Sequence, residues 1–94
     1  MTKIELSGRL ICSTSSQADA VAEHLALHTE LSRAEEGCIE FFVRPTSDPL
    51  IWEVSELFSG QEAFDAHQSR VQSSVWGSAA AGIERQYSIR AVED

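Results

Sequence analysis

The sequence predicts an α+β fold with the element order βαββαβ, in which a four-stranded antiparallel sheet has its helices on one face. Stretches that alternate between apolar and polar residues, as strands do, occur at both ends of the chain and twice in its middle. Apolar residues at three- and four-residue steps, as in helices, separate the first strand from the second and the third from the fourth. The length of 94 residues and the composition, 43% apolar and 23% charged, fit one folded domain over residues 1–94.

The first strand is predicted over residues 3–12, where apolar side chains share one face and polar side chains the other. The hydroxyl-rich run "STSSQ" then offers N-caps for a helix of roughly twenty residues that starts near Ser16. Gly37 provides the C-terminal stop of this helix.

The second and third strands, residues 38–44 and 50–58, flank the turn "PTSDP", whose prolines bar a regular strand. A short helix over 61–68 and a second helical segment over 70–82 follow, and residues 83–92 alternate again as the last strand. This order is the split βαβ arrangement of ferredoxin-like folds. Right-handed crossovers then place the first and third strands in the centre of the sheet.

Apolar residues on both faces of the middle strands predict a homodimer. In the third strand, Ile51 and Leu57 lie on one face, and Trp52 and Val54 lie on the other. The helices cover only one face of the sheet. We therefore expect a second copy of the chain to pack sheet against sheet, closing an α+β barrel.

The charge and the cysteines exclude several classes of partner and site. A net charge of −8 with a single lysine disfavours nucleic acid and acidic membrane surfaces as partners. No segment reaches the ~18–20 apolar residues of a membrane span, and we expect a cytoplasmic protein. Cys12 and Cys38 fall on strands that are not neighbours, ~9–10 Å apart, which is too far for a disulfide. They also lack the spacing of a zinc site.

Three stretches of the chain resemble the antibiotic biosynthesis monooxygenase domain family. They are "EEGCIEFFV" (residues 35–43), "IWEVSELFSGQEAFDAHQS" (residues 51–69) and the C-terminal "YSIRAV". The resemblance implies a dimeric α+β barrel and a monooxygenase that oxidises a small aromatic polyol or quinol with dioxygen. It implies no cofactor, and the sequence contains no phosphate-binding loop or nucleotide fingerprint. The expected partners are a second copy of the chain and a small aromatic or hydrophobic molecule.

His67 and Glu53 are the candidate catalytic residues. His67 follows Ala63 and Phe64 at helical spacing, so it belongs to the inward face, where a histidine suits proton abstraction from a phenol or enol. Glu53 lies mid-strand between apolar neighbours, so we expect it to be at least half buried and to orient His67. The alternative is that both are structural, with a core histidine bonded to a carboxylate that fixes helix against sheet.

Four aromatic residues are the candidate walls of a substrate site, because flat apolar side chains suit a slot for a planar ligand: Trp52, Phe64, Trp76 and Phe41. Each of them also fits the core or the dimer interface. His24 and His28 lie four residues apart on the first helix but lack a third metal ligand. We therefore expect them to lie on a solvated helix face, and we expect no metal site.

Two other functions fit the same fold. A non-catalytic dimeric domain, stress-related or binding a small hydrophobic compound, would take up its ligand without consuming dioxygen. A haem-degrading relative is disfavoured, because the first strand has no Asn and Gly77 stands about where such relatives have His.

Overall fold

The computed structural model describes residues 1–93 and confirms the α+β, ferredoxin-like fold. Its elements are β1 (Thr2–Ile11), α1 (Ser15–Arg33), β2 (Cys38–Pro45), β3 (Ile51–Phe58), α2 (Gln61–Gln72), α3 (Val75–Ala79) and β4 (Glu84–Glu93). The strands form one antiparallel sheet in the order β2-β3-β1-β4. The central strands are therefore β1 and β3, as the right-handed crossovers predict.

Side-chain hydrogen bonds fix both ends of α1. Thr14 is the N-cap, and its hydroxyl accepts from the Gln17 backbone N–H at 3.2 Å. The Gln17 side chain in turn accepts from the Ser13 backbone N–H at 2.7 Å. At the other end, Arg33 donates from Nε and Nη2 to the Phe41 carbonyl at 3.0 and 2.8 Å. This last contact ties the helix to the edge strand β2.

The break between the two later helices lies further along the chain than the sequence predicts. α2 continues to Gln72, past the expected end near residue 68, and α3 starts at Val75. Ser74 explains the position of the break. Its hydroxyl donates to the Val71 carbonyl at 2.7 Å and accepts from the Gly77 N–H at 3.0 Å, so it ends one helix and caps the next.

The hydrophobic core lies between the helices and one face of the sheet. Its buried members come from β1, α1, β3, α2, α3 and the segment that leads into β4: Ile4, Leu6, Leu10, Cys12, Val21, Val54, Phe58, Phe64, Trp76, Ala80 and Ile83. Cys12 and Cys38 are both free thiols, as expected.

The other face of the sheet mixes charged and apolar side chains. Glu53 is paired in register with Arg9 on one side and Arg44 on the other. Half-buried Phe42 and Leu57 lie on the same face. Among residues 1–93, no helix is long and apolar enough to cross a membrane.

Candidate functional site

His67 is the centre of a buried group of polar and aromatic side chains. It lies on the inward face of α2, as its spacing predicts, and only 2% of its surface is exposed. The rings of Phe58 and Phe41 approach the imidazole with centroid distances of 4.9 and 5.6 Å. The aromatic rings restrict the imidazole, and its two nitrogens face different polar partners.

Glu35 holds one nitrogen of His67. This residue lies in the connection between α1 and β2, and its Oε1 is 2.6 Å from His67 Nδ1. Its other oxygen accepts from Arg70 Nε at 2.7 Å, and Arg70 Nη2 donates to the Ser32 hydroxyl at 3.0 Å. A carboxylate only accepts hydrogen bonds, so His67 donates from Nδ1, and Nε2 is left with its lone pair.

Glu56 faces the second nitrogen of His67. Its Oε1 lies 3.6 Å from His67 Nε2, beyond hydrogen-bond distance, and has no other hydrogen-bond partner within residues 1–93. Glu56 lies on β3 between Val54 and Phe58 on the helix-facing side, and only 6% of its surface is exposed. A buried carboxyl oxygen without a hydrogen bond is costly, so its retention calls for an explanation such as a ligand or a catalytic role.

Burial shifts the acid–base properties of this pair in opposite directions. Burial, aided by the negative charge of Glu35, raises the pKa of Glu56 from 4.5 to about 7. Burial lowers the pKa of His67, and the hydrogen bond and the charge of Glu35 oppose part of that change. Both shifts favour the uncharged forms, a carboxylic acid beside a neutral imidazole.

His28 and Trp76 form a stacked pair next to this site. Their ring centroids are 4.3 Å apart, and the planes are inclined by 1°. His28 Nδ1 is buried and has no hydrogen-bond partner in the described part of the chain. Burial lowers the pKa of His28 to about 3, and repulsion from His67, once that ring is protonated, and from Arg70 and Arg85 adds to the shift. His28 is therefore neutral at physiological pH.

An inner cavity of about 130 Å³ lies between the sheet and the helices. Polar side chains line part of it, namely Glu56, His67, Gln68, Arg85, Tyr87 and His28. The remaining wall is apolar and is formed by Leu6, Leu10, Val43, Val54, Val71 and Trp76. Burial raises the pKa of Tyr87 to about 12, so its hydroxyl stays protonated.

An outer cleft of about 330 Å³ adjoins the inner cavity and opens between α1 and the segment from α2 to α3. It shares His28 and Trp76 with the inner cavity, so the stacked pair separates the two spaces. Exposed Leu27, Leu31 and Val75 line its mouth. The outer cleft therefore meets the inner cavity, which Glu56 and His67 line, at the stacked pair.

The sequence-based assignment of Glu53 is wrong in its geometry. Glu53 is exposed and lies on the face of the sheet away from the helices, so it cannot orient His67. Successive side chains of a strand point to opposite faces, and Glu53 has the opposite parity to Val54. Glu56 has the parity of Val54 and Phe58. The same parity rule, applied to the sequence, identifies Glu56 as the glutamate that faces the helices.

The structure also revises which aromatic residues form the walls of the candidate substrate site. Trp76 lines both cavities, but Trp52, Phe64 and Phe41 are absent from the described lining of either one. Phe41 and Phe64 are core residues, with 1% and 6% of their surface exposed.

The sequence predicts that His24 and His28 lie on a solvated face of α1, but the structure differs. His24 is half-buried, and only 5% of the surface of His28 is exposed. The helix turns His28 towards Phe41 and Trp76, where ring packing replaces solvent. In residues 1–93, no group of three or more His, Cys, Asp and Glu side chains is arranged to hold a metal ion.

Comparison with known proteins identifies the family of the chain and supports its fold. The profile of the family described as antibiotic biosynthesis monooxygenase matches residues 14–82. The matched range contains Glu35, Glu56, His67 and Trp76, and it excludes the cavity residues of β1 and β4. No curated protein matches the chain.

Solved structures with the same fold come from several organisms. SnoaB, a cofactor-independent oxygenase from Streptomyces nogalater, superposes with a TM-score of 0.79 at 7% identity, covering 100% of this chain and 96% of that one. A conserved protein from Methanosarcina mazei gives 0.75 at 18% identity, with coverages of 96% and 92%. A protein from Pseudomonas aeruginosa gives 0.72 at 19% identity, with coverages of 100% and 95%. At these identities the similarity establishes the fold.

Proposed function

Because the chain belongs to the antibiotic biosynthesis monooxygenase family, we propose that it is a cofactor-independent monooxygenase that oxidises a small aromatic polyol or quinol with dioxygen. The observation that carries the proposal is the state of His67. Its Nδ1 is fixed by Glu35 at 2.6 Å, while Nε2 lies 3.6 Å from Glu56 Oε1, and both residues line the inner cavity. A buried imidazole held in this way is a base with a defined direction.

The size and polarity of the inner cavity support a ligand with one aromatic ring. Its volume is about 130 Å³, slightly less than the ~150 Å³ of a protein cavity that holds benzene, so a single hydroxylated ring would fill it completely. The apolar wall suits the ring, and the edge formed by His67 and Glu56 suits a hydroxyl group. A longer molecule would extend past the stacked pair His28 and Trp76 into the outer cleft.

The chemistry assigned to the protein is proton abstraction and exclusion of water. His67 Nε2 takes the proton of a substrate hydroxyl, and the electron-rich anion that results gives electrons to dioxygen. Glu35 stabilises the imidazolium that forms, because a paired carboxylate favours the charged form of histidine. A dry cavity strengthens these interactions and protects reactive intermediates from side reactions.

The homodimer and the cytoplasmic location belong to the same proposal. Half-buried Phe42 and Leu57 on the sheet face away from the helices support a contact with a second copy, and the Arg9, Glu53 and Arg44 row there offers charges of both signs. Sedimentation velocity tests the dimer, and a Leu57→Glu substitution should shift the protein to monomer.

The two free cysteines support the cytoplasmic location, because they are compatible with a reducing compartment.

Dioxygen uptake with a panel of hydroquinones and hydroxynaphthalenes tests the activity. We expect the wild type to consume dioxygen well above autoxidation, and His67→Ala to lose on the order of 10²-fold in rate. Asp65→Ala, at an exposed position of the same helix, is the matched control. Stoichiometric binding of a panel compound without dioxygen uptake would instead favour the non-catalytic binding domain.

A further inference from the structure

The inner cavity contains a second acid–base group beside His67. Glu56 is buried to 94%, with 6% of its surface exposed, and its Oε1 has no hydrogen-bond partner in the described chain. The oxygen lies 3.6 Å from His67 Nε2, and both groups line the same cavity. A polar atom left unpaired at such a position is available to a ligand.

We propose that Glu56 and His67 form a complementary donor and acceptor pair, in which Glu56 as a carboxylic acid gives a proton to the oxygen end of the reaction while His67 takes the proton of the substrate hydroxyl. This inference rests on the proposed monooxygenase function and deepens it by naming the proton donor. It also defines the ligand as a molecule that presents a hydroxyl group to Nε2 and an accepting oxygen to the carboxylic acid.

The two groups differ in what holds them. His67 is bonded through Nδ1 to Glu35, which is itself bonded to Arg70, so the histidine keeps one orientation and one tautomer. Glu56 Oε1 has no hydrogen-bond partner within residues 1–93, so this oxygen can turn towards a ligand. One fixed acceptor and one free acid at 3.6 Å can therefore act on two oxygen atoms of one bound molecule.

Ionisable groups from four segments of the fold surround Glu56. α2 contributes His67, β4 contributes Arg85 and Tyr87, α1 contributes His28, and the connection after α1 contributes Glu35. Burial, aided by the negative charge of Glu35, raises the pKa of Glu56 to about 7. A carboxyl group with this pKa still carries its proton in a large fraction of molecules near neutral pH.

The proton count closes within the pair. The O–H bond of the substrate hydroxyl breaks and its proton bonds to His67 Nε2. The substrate anion then passes two electrons to dioxygen as a carbon–oxygen bond forms, and the resulting peroxide anion takes the proton of Glu56. The imidazolium of His67 returns its proton to the Glu56 carboxylate, so both groups regain their starting forms. Breakdown of the hydroperoxide to a carbonyl and water requires no further net proton.

Nuclear magnetic resonance of the ligand-free protein tests the pair without any turnover. With labelled Glu carboxyl carbons and His imidazole nitrogens, we expect Glu56 to titrate near pH 7, well above its ordinary 4.5. We expect His67 to be neutral at that pH, with its proton on Nδ1. A Glu56 signal that is fully ionised at pH 6 beside an imidazolium of His67 would overturn the proposal.

A chromophoric phenol separates the two roles. The wild type and Glu56→Gln should both ionise bound para-nitrophenol, read from the visible absorbance of the phenolate, whereas His67→Asn should not. With an active hydroquinone, Glu56→Gln should lose on the order of 10²-fold in dioxygen uptake. A purely structural role of Glu56 would impair ionisation and uptake together, and unimpaired uptake in Glu56→Gln would refute the assignment as donor. If the wild type consumes no dioxygen, the monooxygenase proposal fails, but the two spectroscopic readouts still decide whether the pair exists.

Discussion

Glu56 and His67 face each other across 3.6 Å in the interior of the protein, each buried by the packing of α2 on β3. The pair does not form an ordinary hydrogen bond, because the separation is too long. Burial lowers the pKa of the imidazole and raises that of the carboxyl group, so the two groups favour their neutral forms. This relationship makes the stability of the fold depend on pH.

We expect Glu56→Gln to stabilise the protein progressively, relative to the wild type, as pH rises from 4.5 to about 7. The folded state holds the Glu56 proton over this range and the unfolded state releases it, so the wild type loses free energy of unfolding as pH rises. The rise in the pKa of Glu56 from 4.5 to about 7 corresponds to a difference of about 3 kcal/mol in the free energy of unfolding between variant and wild type at pH 7 and above. Urea unfolding at a series of pH values measures it.

Glu53→Gln is the matched control for Glu56→Gln, because it removes a carboxylate from the exposed side of the same strand. If Glu53→Gln shows the larger pH-dependent gain in stability, the assignment of the buried position to Glu56 is wrong.

We expect His28→Phe to make the protein more resistant to acid. The pKa of His28 is lowered from 6.5 to about 3, so the unfolded state binds a proton that the folded state does not, and stability falls as pH drops through this range. A phenyl ring keeps the stack on Trp76 and cannot be protonated. As the pH falls from 6.5 to 3, the free energy of unfolding of the variant should rise by roughly 3–5 kcal/mol relative to that of the wild type.

Thermal unfolding monitored by circular dichroism between pH 3 and 8 provides this measurement. The difference between His28→Phe and the wild type should be constant above pH 7 and should grow below 6.5. A difference that stays the same at all pH values would show that only ring packing has changed.

We expect Glu35→Gln to destabilise the fold by roughly 1–3 kcal/mol and to lower the activity proposed for His67. The amide leaves Arg70 without its ion pair and provides His67 Nδ1 with a weaker acceptor. In imidazole-nitrogen spectra, the loss of the carboxylate should lower the pKa of His67 further.

Glu36→Gln is the control, since Glu36 is the exposed neighbour of Glu35, and its effect on stability should stay within ~0.5 kcal/mol. If the two substitutions had equal effects, Glu35 would have no specific role at the site.

We expect Gly37→Ala to destabilise the protein by about 2 kcal/mol or more. Gly37 has a φ of +88°, and an added Cβ would lie 2.6 Å from the Ala63 Cβ and 2.8 Å from the Ser59 Oγ. Because Gly37 follows Glu35 closely in the chain, the strain should also disturb the Glu35 and His67 contact. Chemical unfolding and imidazole-nitrogen spectra measure the two effects.

Gly82→Ala is the matched control for Gly37→Ala. The nearest atom to its Cβ is Gln17 Nε2 at 4.0 Å, an ordinary contact, so the substitution should cost less than ~1 kcal/mol. A small effect of Gly37→Ala, comparable to that of Gly82→Ala, would contradict the tight contact with α2.

The alternation of apolar residues along the chain determines the element order, because strands and helices bury different periodic faces. The same alternation, combined with right-handed crossovers, determines the sheet order and the inward position of His67. It also contains the information that Glu56, rather than Glu53, faces the helices. The assignment of Glu53 followed its neighbours along the chain, whereas the side of a strand is set by parity.

Tertiary packing alone decides which groups meet His67. Glu35 lies 32 residues away in the chain, and its contact depends on how the connection after α1 passes over α2. The burial of His28 likewise depends on α3 supplying Trp76 as a stacking partner. Local patterns specify which face of an element is buried, but the partners on that face come from distant segments, and only the packed fold brings them within reach.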